Sequence, residues 1–182
     1  YRDSFNISVE DLIVAKLRKT GWWPPSPTRR VRFQSFDPAA IDRFVELTGA
    51  EARRSMVQMI DTRMLPLLNK GTVANQSSES YGTTSWDLIF NRLAERVGGV
   101  SVDKTMLTAN LSLADHIIKE ARARSLFMHV WTFSALEASW NANFSSYNEE
   151  VWFFAFRQVE GLFTDDPQEL RRELAKPPRT PD

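Results

Sequence analysis

Short apolar strands alternate with amphipathic helices along this 182-residue chain. The strand-like runs cover residues 31–36, 55–60, 100–102, 126–133 and 160–164. Two pairs, Asp37-Pro38 and Asp166-Pro167, each place an N-cap residue before a proline in the first helical turn. Because strands that alternate with helices are typical of parallel β/α units, the pattern predicts an α/β fold.

The first helix is predicted to begin at Ser8 and to end at Gly21, with an apolar stripe of Leu12, Ile13 and Leu17. Five strands are too few to close an eight-stranded barrel but suffice for a small doubly wound sheet. Periodicity alone leaves both open. We expect one domain over residues 1–175 and a loose, proline-rich tail over 176–182.

Composition excludes several classes of site. The chain has no cysteine, which excludes disulfides and zinc–thiolate centres. Its 23 basic and 23 acidic residues balance, so no net charge favours nucleic acid, and no apolar run approaches the roughly 18 residues of a membrane span. N-x-S sequons at Asn6, Asn75, Asn110 and Asn143 slightly favour a secretory, secreted or periplasmic location, with coincidence as the alternative.

Alternate residues of a barrel strand face the outer helices or the barrel interior. If Val31, Phe33, Val57, Met59, Met128 and Val130 face the helices, then Arg32, Gln34, Gln58, His129 and Trp131 face inward. Polar residues in phase on three strands favour a polar pocket, although each could be a hydrogen-bonded interior residue. Two long irregular segments, 61–85 and 134–146, follow strands and are predicted to form a lid, which the nearby Tyr81, Trp86 and Trp140 favour. The alternative is two solvated insertions. Trp86 itself is predicted to begin a helix that runs to Val97.

Five motifs, in order, resemble those of glycerophosphodiester phosphodiesterases, with the greatest similarity to the subfamily of bacterial periplasmic enzymes. They are V-R-F-Q-S-F-D-P (31–38), M-V-Q-M-I (56–60), G-G-V-S-V-D (98–103), F-M-H-V-W-T-F (127–133) and E-G-L-F-T-D-D-P (160–167). The resemblance implies the C-terminal portion, about five β/α units, of a TIM (β/α)8 barrel of the PLC-like phosphodiesterase type.

The same resemblance implies a phosphoric diester hydrolase that releases glycerol 3-phosphate and an alcohol, in lipid and glycerol metabolism. It implies Gln34, His129 and Trp131 as substrate-binding residues and a divalent cation, Ca²⁺ or Mg²⁺, as cofactor. The expected partners are a small glycerophosphodiester and the N-terminal half of the barrel.

The family's H-R-G strand, metal-binding E-x-D, second histidine and E-x-K strand do not occur in this sequence. Of its two histidines, His116 falls on a predicted helix and is interpreted as structural. We therefore expect the catalytic residues upstream of Tyr1, identify no metal ligands here, and predict that this segment alone is inactive. The main alternative is a non-catalytic barrel remnant that serves as a binding or structural module. A phospholipase D-type toxin is disfavoured because those toxins usually carry disulfides.

Overall fold

Parallel strands pair side by side in the order in which they occur along the chain. The computed structural model describes residues 8–24, 31–65, 83–136 and 142–176. Within them the five-stranded sheet consists of β1 (Phe33–Ser35), β2 (Met56–Ile60), β3 (Gly99–Asp103), β4 (Phe127–Phe133) and β5 (Gly161–Thr164). The helices are α1 (Val9–Lys19), α2 (Pro38–Thr48), α3 (Thr83–Ala94), α4 (Lys104–Thr108), α5 (Leu111–Ala123), α6 (Tyr147–Phe156) and α7 (Pro167–Ala175), with a 3₁₀ helix at Ala50–Ser55.

The sequential strand order distinguishes the two architectures that periodicity left open. A doubly wound sheet reverses its strand order at a switch point, which places helices on both faces. Here the order never reverses, and right-handed crossovers in one direction place the helices on one face. The fold is therefore α/β with a curled half-barrel sheet, as expected for part of a TIM-type barrel.

Contacts between side chains on the face opposite the helices show the curl of the sheet directly. The Phe36 ring meets the Trp131 ring edge-on, with 5.6 Å between centroids. The guanidinium carbon of Arg32 lies 4.2 Å from the centroid of the Phe127 ring. In a flat sheet the backbones of β1 and β4 would be about 14 Å apart. These side chains meet because the sheet bends around them.

Local capping signals are confirmed at three helices. Ser8 Oγ accepts a hydrogen bond from Asp11 N (3.2 Å), and Asp37 Oδ1 accepts one from Ala39 N (2.9 Å). Asp166 Oδ1 likewise accepts from Glu169 N (2.9 Å). Each cap satisfies an amide that the first helical turn leaves without an internal partner, which explains why short-range sequence patterns located these boundaries.

The predicted apolar stripe of α1 is wrong in part. Leu12 is 60% exposed and Ile13 is 39% exposed, whereas Val14 is the buried residue of this helix. The reason is its position beside α2, which it contacts also through an ion pair between Asp11 and Arg43 (2.7 Å). With α2 on only one flank, α1 buries Val14 and part of Leu17 and leaves its other apolar residues uncovered.

Aromatic packing fills the layer between the sheet and the helices. Phe33 of β1 stacks on Phe44 of α2, with 4.2 Å between ring centroids. Trp86, predicted to begin a helix next to the lid segment and to favour that lid, is 2% exposed in α3 and contacts Phe90 (5.3 Å). It is a core residue, because α3 begins three residues earlier, inside the segment expected to be a loop.

Several predicted features lie outside the described residues. They are Tyr81, Trp140, residues 66–82 and 137–141 of the two predicted lid segments, the sequons at Asn6 and Asn75, and the tail from residue 177 onward. In the described part, Asn110 caps α5, and Asn143 donates to Thr108 O (2.6 Å). No helix found among these residues has the length and apolar character needed to cross a membrane.

A buried ion pair joins the end of the sheet to α6. Lys104 Nζ lies 2.8 Å from Glu150 Oε2, and the two side chains are 6% and 0% exposed. The ammonium group also lies 5.3 Å from the centroid of the Phe133 ring. Since both charges are buried, loss of one partner would remove an interaction that offsets the cost of desolvating the other.

We expect Glu150→Gln to lower the free energy of unfolding by about 3–5 kcal/mol, because it removes the negative charge that lies against the buried Lys104 ammonium. Asp42→Asn is the control, since it breaks the Asp42–Arg96 pair (2.6 Å), in which both side chains are at least 40% exposed. It should cost no more than about 1 kcal/mol. Urea unfolding measures both.

The double variant Lys104→Met/Glu150→Leu should recover most of that loss, because apolar replacement removes both desolvated charges. Equal unfolding free energies for Glu150→Gln and Asp42→Asn would show that the buried ion pair contributes no more stability than the exposed one.

Candidate binding site on the concave face of the sheet

Strand register decides which side chains face the concave side. Paired residues of neighbouring parallel strands point to the same face, and successive residues point to opposite faces. One concave row contains Gln34, Val57, Gly99 and Phe127. The next contains Met59, Ser101, His129 and Gly161, and the last pairs Asp103 with Trp131. Gln34, His129 and Trp131 thus share this face, and their role in binding stays a prediction.

The predicted orientation of β2 is wrong. Gln58 pairs with Ser35 and Val100 and faces the helices, while Val57 and Met59 face the concave side. The Gln58 side chain is a satisfied buried amide, 1% exposed, whose Nε2 donates to Ser35 O (3.1 Å) and Phe36 O (3.0 Å). The run Met-Val-Gln-Met-Ile is apolar in both phases, so its alternation carries too little contrast to orient the strand.

Trp131 presents an aromatic surface near the carboxyl end of β4. Its indole Nε1 donates to Ser101 O (3.1 Å), which commits the polar edge of the ring to the sheet. Phe36 packs edge-on against it, and Trp131 itself is half-buried. The pair therefore offers ligand an apolar wall rather than a hydrogen-bond donor.

His129 is packed between aromatic rings. Its ring centroid lies 5.0 Å from that of Phe127 and 5.5 Å from that of Phe163. It also covers Gly161, where a Cβ atom would lie only 2.8 Å from His129 Cδ2. Burial lowers the pKa of His129 below its ordinary value, the charge of Arg32 lowers it further, and Glu160 offsets part of the shift. At neutral pH the ring is therefore uncharged, and its surroundings favour a packing role.

Gln34 is exposed and lies in the same row as Phe127. Trp131 lies four residues beyond Phe127 along β4, two strands removed from the β2 neighbour of β1. The structure therefore brings Phe36 to Trp131 and places Gln34 deeper along the concave face. If both bind one ligand, the ligand must extend along the strands.

Charged residues after β2 and β3 were missed as site candidates. Asp61 directly follows β2 and is bonded to Arg63, and Asp103 ends β3 in the row of Trp131. The usable signal was a charged residue at the carboxyl end of an apolar strand, where the active sites of parallel barrels form.

The carboxylates at these strand ends do not fit a metal centre. Asp61 Oδ1 accepts from Arg63 N (2.9 Å) and Met64 N (3.1 Å), and Asp103 Oδ1 accepts from Thr105 N (2.8 Å). Asp166 caps α7. Each is used by the turn that follows its strand, so the described strand ends provide no convergent set of oxygen ligands of the kind that Ca²⁺ or Mg²⁺ needs.

Three side chains that could hold a metal meet elsewhere, between α3 and α5. Ligand atoms of Asp87, His116 and Glu120 all lie within 4.8 Å of one another. His116 Nε2 is 3.4 Å from Asp87 Oδ1, and Glu120 is bonded to Arg124 (2.6 Å), which lowers the Glu120 pKa. This group lies on the helical layer, and the charge of Glu120 is already paired.

The functional interpretation rests on the geometry of the described residues. No protein-family model matches the sequence, and a search of curated proteins finds no match. What the described residues establish is a curled parallel sheet with an aromatic concave face.

We expect His129 to titrate in NMR with a midpoint below the ordinary value of about 6.5. Arg32→Gln should raise that midpoint by removing a nearby positive charge, and Arg171→Gln on the exposed face of α7 should leave it unchanged. Because the unfolded chain takes up this proton first, stability is lost as pH falls below about 6.5 and through the folded pKa. A midpoint at or above 6.5 would contradict the desolvation of the ring.

Proposed function

We propose that the chain is part of a glycerophosphodiester phosphodiesterase barrel and supplies one side of its substrate pocket. The observation that carries the proposal is the Trp131–Phe36 aromatic pair beside Arg63, toward the carboxyl end of a curled parallel sheet. Active sites of (β/α)8 barrels form at that end. The five ordered motifs that resemble the family lie on these same five strands.

The chemistry of a glycerophosphodiester suits this surface. Its glycerol carbons can pack on the rings of Trp131 and Phe36, and the phosphate requires a cation or hydrogen-bond donors. The exposed amide of Gln34 can donate to and accept from hydroxyl groups of an extended substrate. Uncharged His129 packs against Phe127 and Phe163 on the same face and is not in the imidazolium form that a general acid needs at neutral pH.

We further propose that additional parallel strands, the N-terminal half of the barrel, pair with the edge of β1 that carries no strand among the described residues. In a right-handed β/α crossover, a helix packs over both the strand before it and the strand after it. α1 precedes β1 and leaves Val9, Leu12 and Ile13 exposed by 48%, 60% and 39%. We expect such an exposed apolar face on a helix that also packs over a preceding strand, and that strand would lie beyond β1 in the sheet.

Hydrolysis of a phosphodiester requires neutralisation of the charge that builds on the phosphate, which in this class is the chemistry of a bound divalent cation. The described strand ends do not fit that cation, so Ca²⁺ or Mg²⁺ would be held by the additional strands together with the acid and base. This chain contributes binding and orientation and excludes water from one side of the pocket.

A non-catalytic binding module is the second candidate, favoured by one observation. The carboxylates of Asp61, Asp103 and Asp166 each accept a hydrogen bond from a nearby backbone amide, an arrangement typical of a structural role and not of an acid, a base or a metal ligand. The coding sequence upstream of Tyr1 distinguishes the candidates, because an H-R-G strand followed by E-x-D would supply the missing catalytic groups.

Glycerol 3-phosphate titrated into the ¹⁵N-labelled chain should shift the indole N–H resonance of Trp131. Trp131→Ala should weaken binding about fivefold or more, since it removes a stacking surface that contributes about 1–3 kcal/mol. Trp22→Ala is the control, because Trp22 is a 47% exposed tryptophan that follows α1. The chain alone should not hydrolyse glycerophosphocholine with either cation. Absence of any binding would overturn the proposal.

A further inference from the structure

Asp61 and Arg63 form an ion pair just beyond β2 in which the carboxylate is buried and the guanidinium is exposed. The Asp61 side chain is 7% exposed and that of Arg63 is 82% exposed. Asp61 Oδ2 accepts from Arg63 Nε (2.8 Å) and also from Nη2, while Oδ1 accepts from two backbone amides. A buried carboxylate with four donors thus anchors an arginine that projects into solvent.

The Asp61 carboxylate that holds Arg63 stays charged at neutral pH. Burial by itself would raise the pKa of Asp61, but the hydrogen bonds from Arg63 and Met64 lower it below its usual range. Asp61 therefore stays ionised at neutral pH and keeps one edge of the guanidinium fixed. Nη1 takes no part in these bonds, so part of the planar donor array remains directed away from Asp61.

The fixed guanidinium stands next to the aromatic pair. Its central carbon lies 6.0 Å from the centroid of the Phe36 ring, which in turn meets Trp131. β2 lies between β1 and β3, so Arg63 emerges at the same end of the sheet as Asp103. The carboxylate of Asp103 is bonded to the amide and hydroxyl of Thr105, which directs its charge toward the start of α4.

We infer that Arg63 is the phosphate-binding residue of this surface and that Asp61 is its positioning residue. The inference rests on the proposed function and names its anion-binding group. A planar guanidinium matches the oxygens of a phosphate in two-donor geometry. Because Asp61 holds it in place before the ligand arrives, little side-chain entropy is lost on binding. The ligand class is a small glycerol phosphate, with carbons on the Phe36–Trp131 wall and phosphate on Arg63.

The test compares glycerol 3-phosphate with uncharged glycerol on the intact chain, followed by NMR. Arg63→Gln should weaken glycerol 3-phosphate about tenfold or more, the usual effect of losing a charge-assisted hydrogen bond. It should leave the weak shifts caused by glycerol unchanged. Arg63→Lys, which keeps the charge but loses the fork, should fall between Arg63→Gln and wild type.

Arg53→Gln is the matched control, because Arg53 is an exposed arginine just before β2, at the opposite end of that strand. It should bind as wild type does. Unchanged affinity in Arg63→Gln, with Trp131→Ala still defective, would overturn the role of Arg63 and leave the proposed function standing. Equal loss in Arg53→Gln and Arg63→Gln would also overturn it, by showing a general charge effect. No binding to the wild-type chain would overturn both proposals.

Discussion

Sequential pairing of parallel strands is the constraint from which the rest of the molecule follows. Because each crossover advances in the same direction and with the same hand, the helices collect on one face of the sheet. The sheet twists and curls, and its other face becomes a concave surface. Contacts such as Phe36–Trp131 and Arg32–Phe127 exist only because this curl brings β1 and β4 together.

Polar groups that the fold buries are matched to specific partners. Glu150 meets Lys104, Gln58 meets backbone carbonyls at the end of β1, and Asp61 meets Arg63 with two amides. Such pairing offsets the cost of removing charge and dipole from water. The three pairings have different consequences. The pairing of Asp61 leaves Arg63 as a fixed, exposed cation beside the rings of Phe36 and Trp131, whereas those of Glu150 and Gln58 stabilise the fold.

Most secondary structure could be predicted from the sequence, because its determinants are local. Caps at Ser8, Asp37 and Asp166 act within three residues, and each predicted strand end lies within two residues of the observed one. Errors arose where packing partners decide. α1 has two apolar flanks, of which only that of Val14 meets a neighbouring helix, and Trp86 entered the core because α3 starts within a predicted loop.

The sequence by itself determined the β/α alternation, the positions of the caps and the motifs that resemble a phosphodiesterase barrel. Only the tertiary structure decided which face each strand presents, because that depends on register with neighbours distant along the chain. Register turned Gln58 toward the helices and separated Gln34 from Trp131. It also set Arg63 beside Phe36, a contact between residues that follow different strands and that no local periodicity encodes.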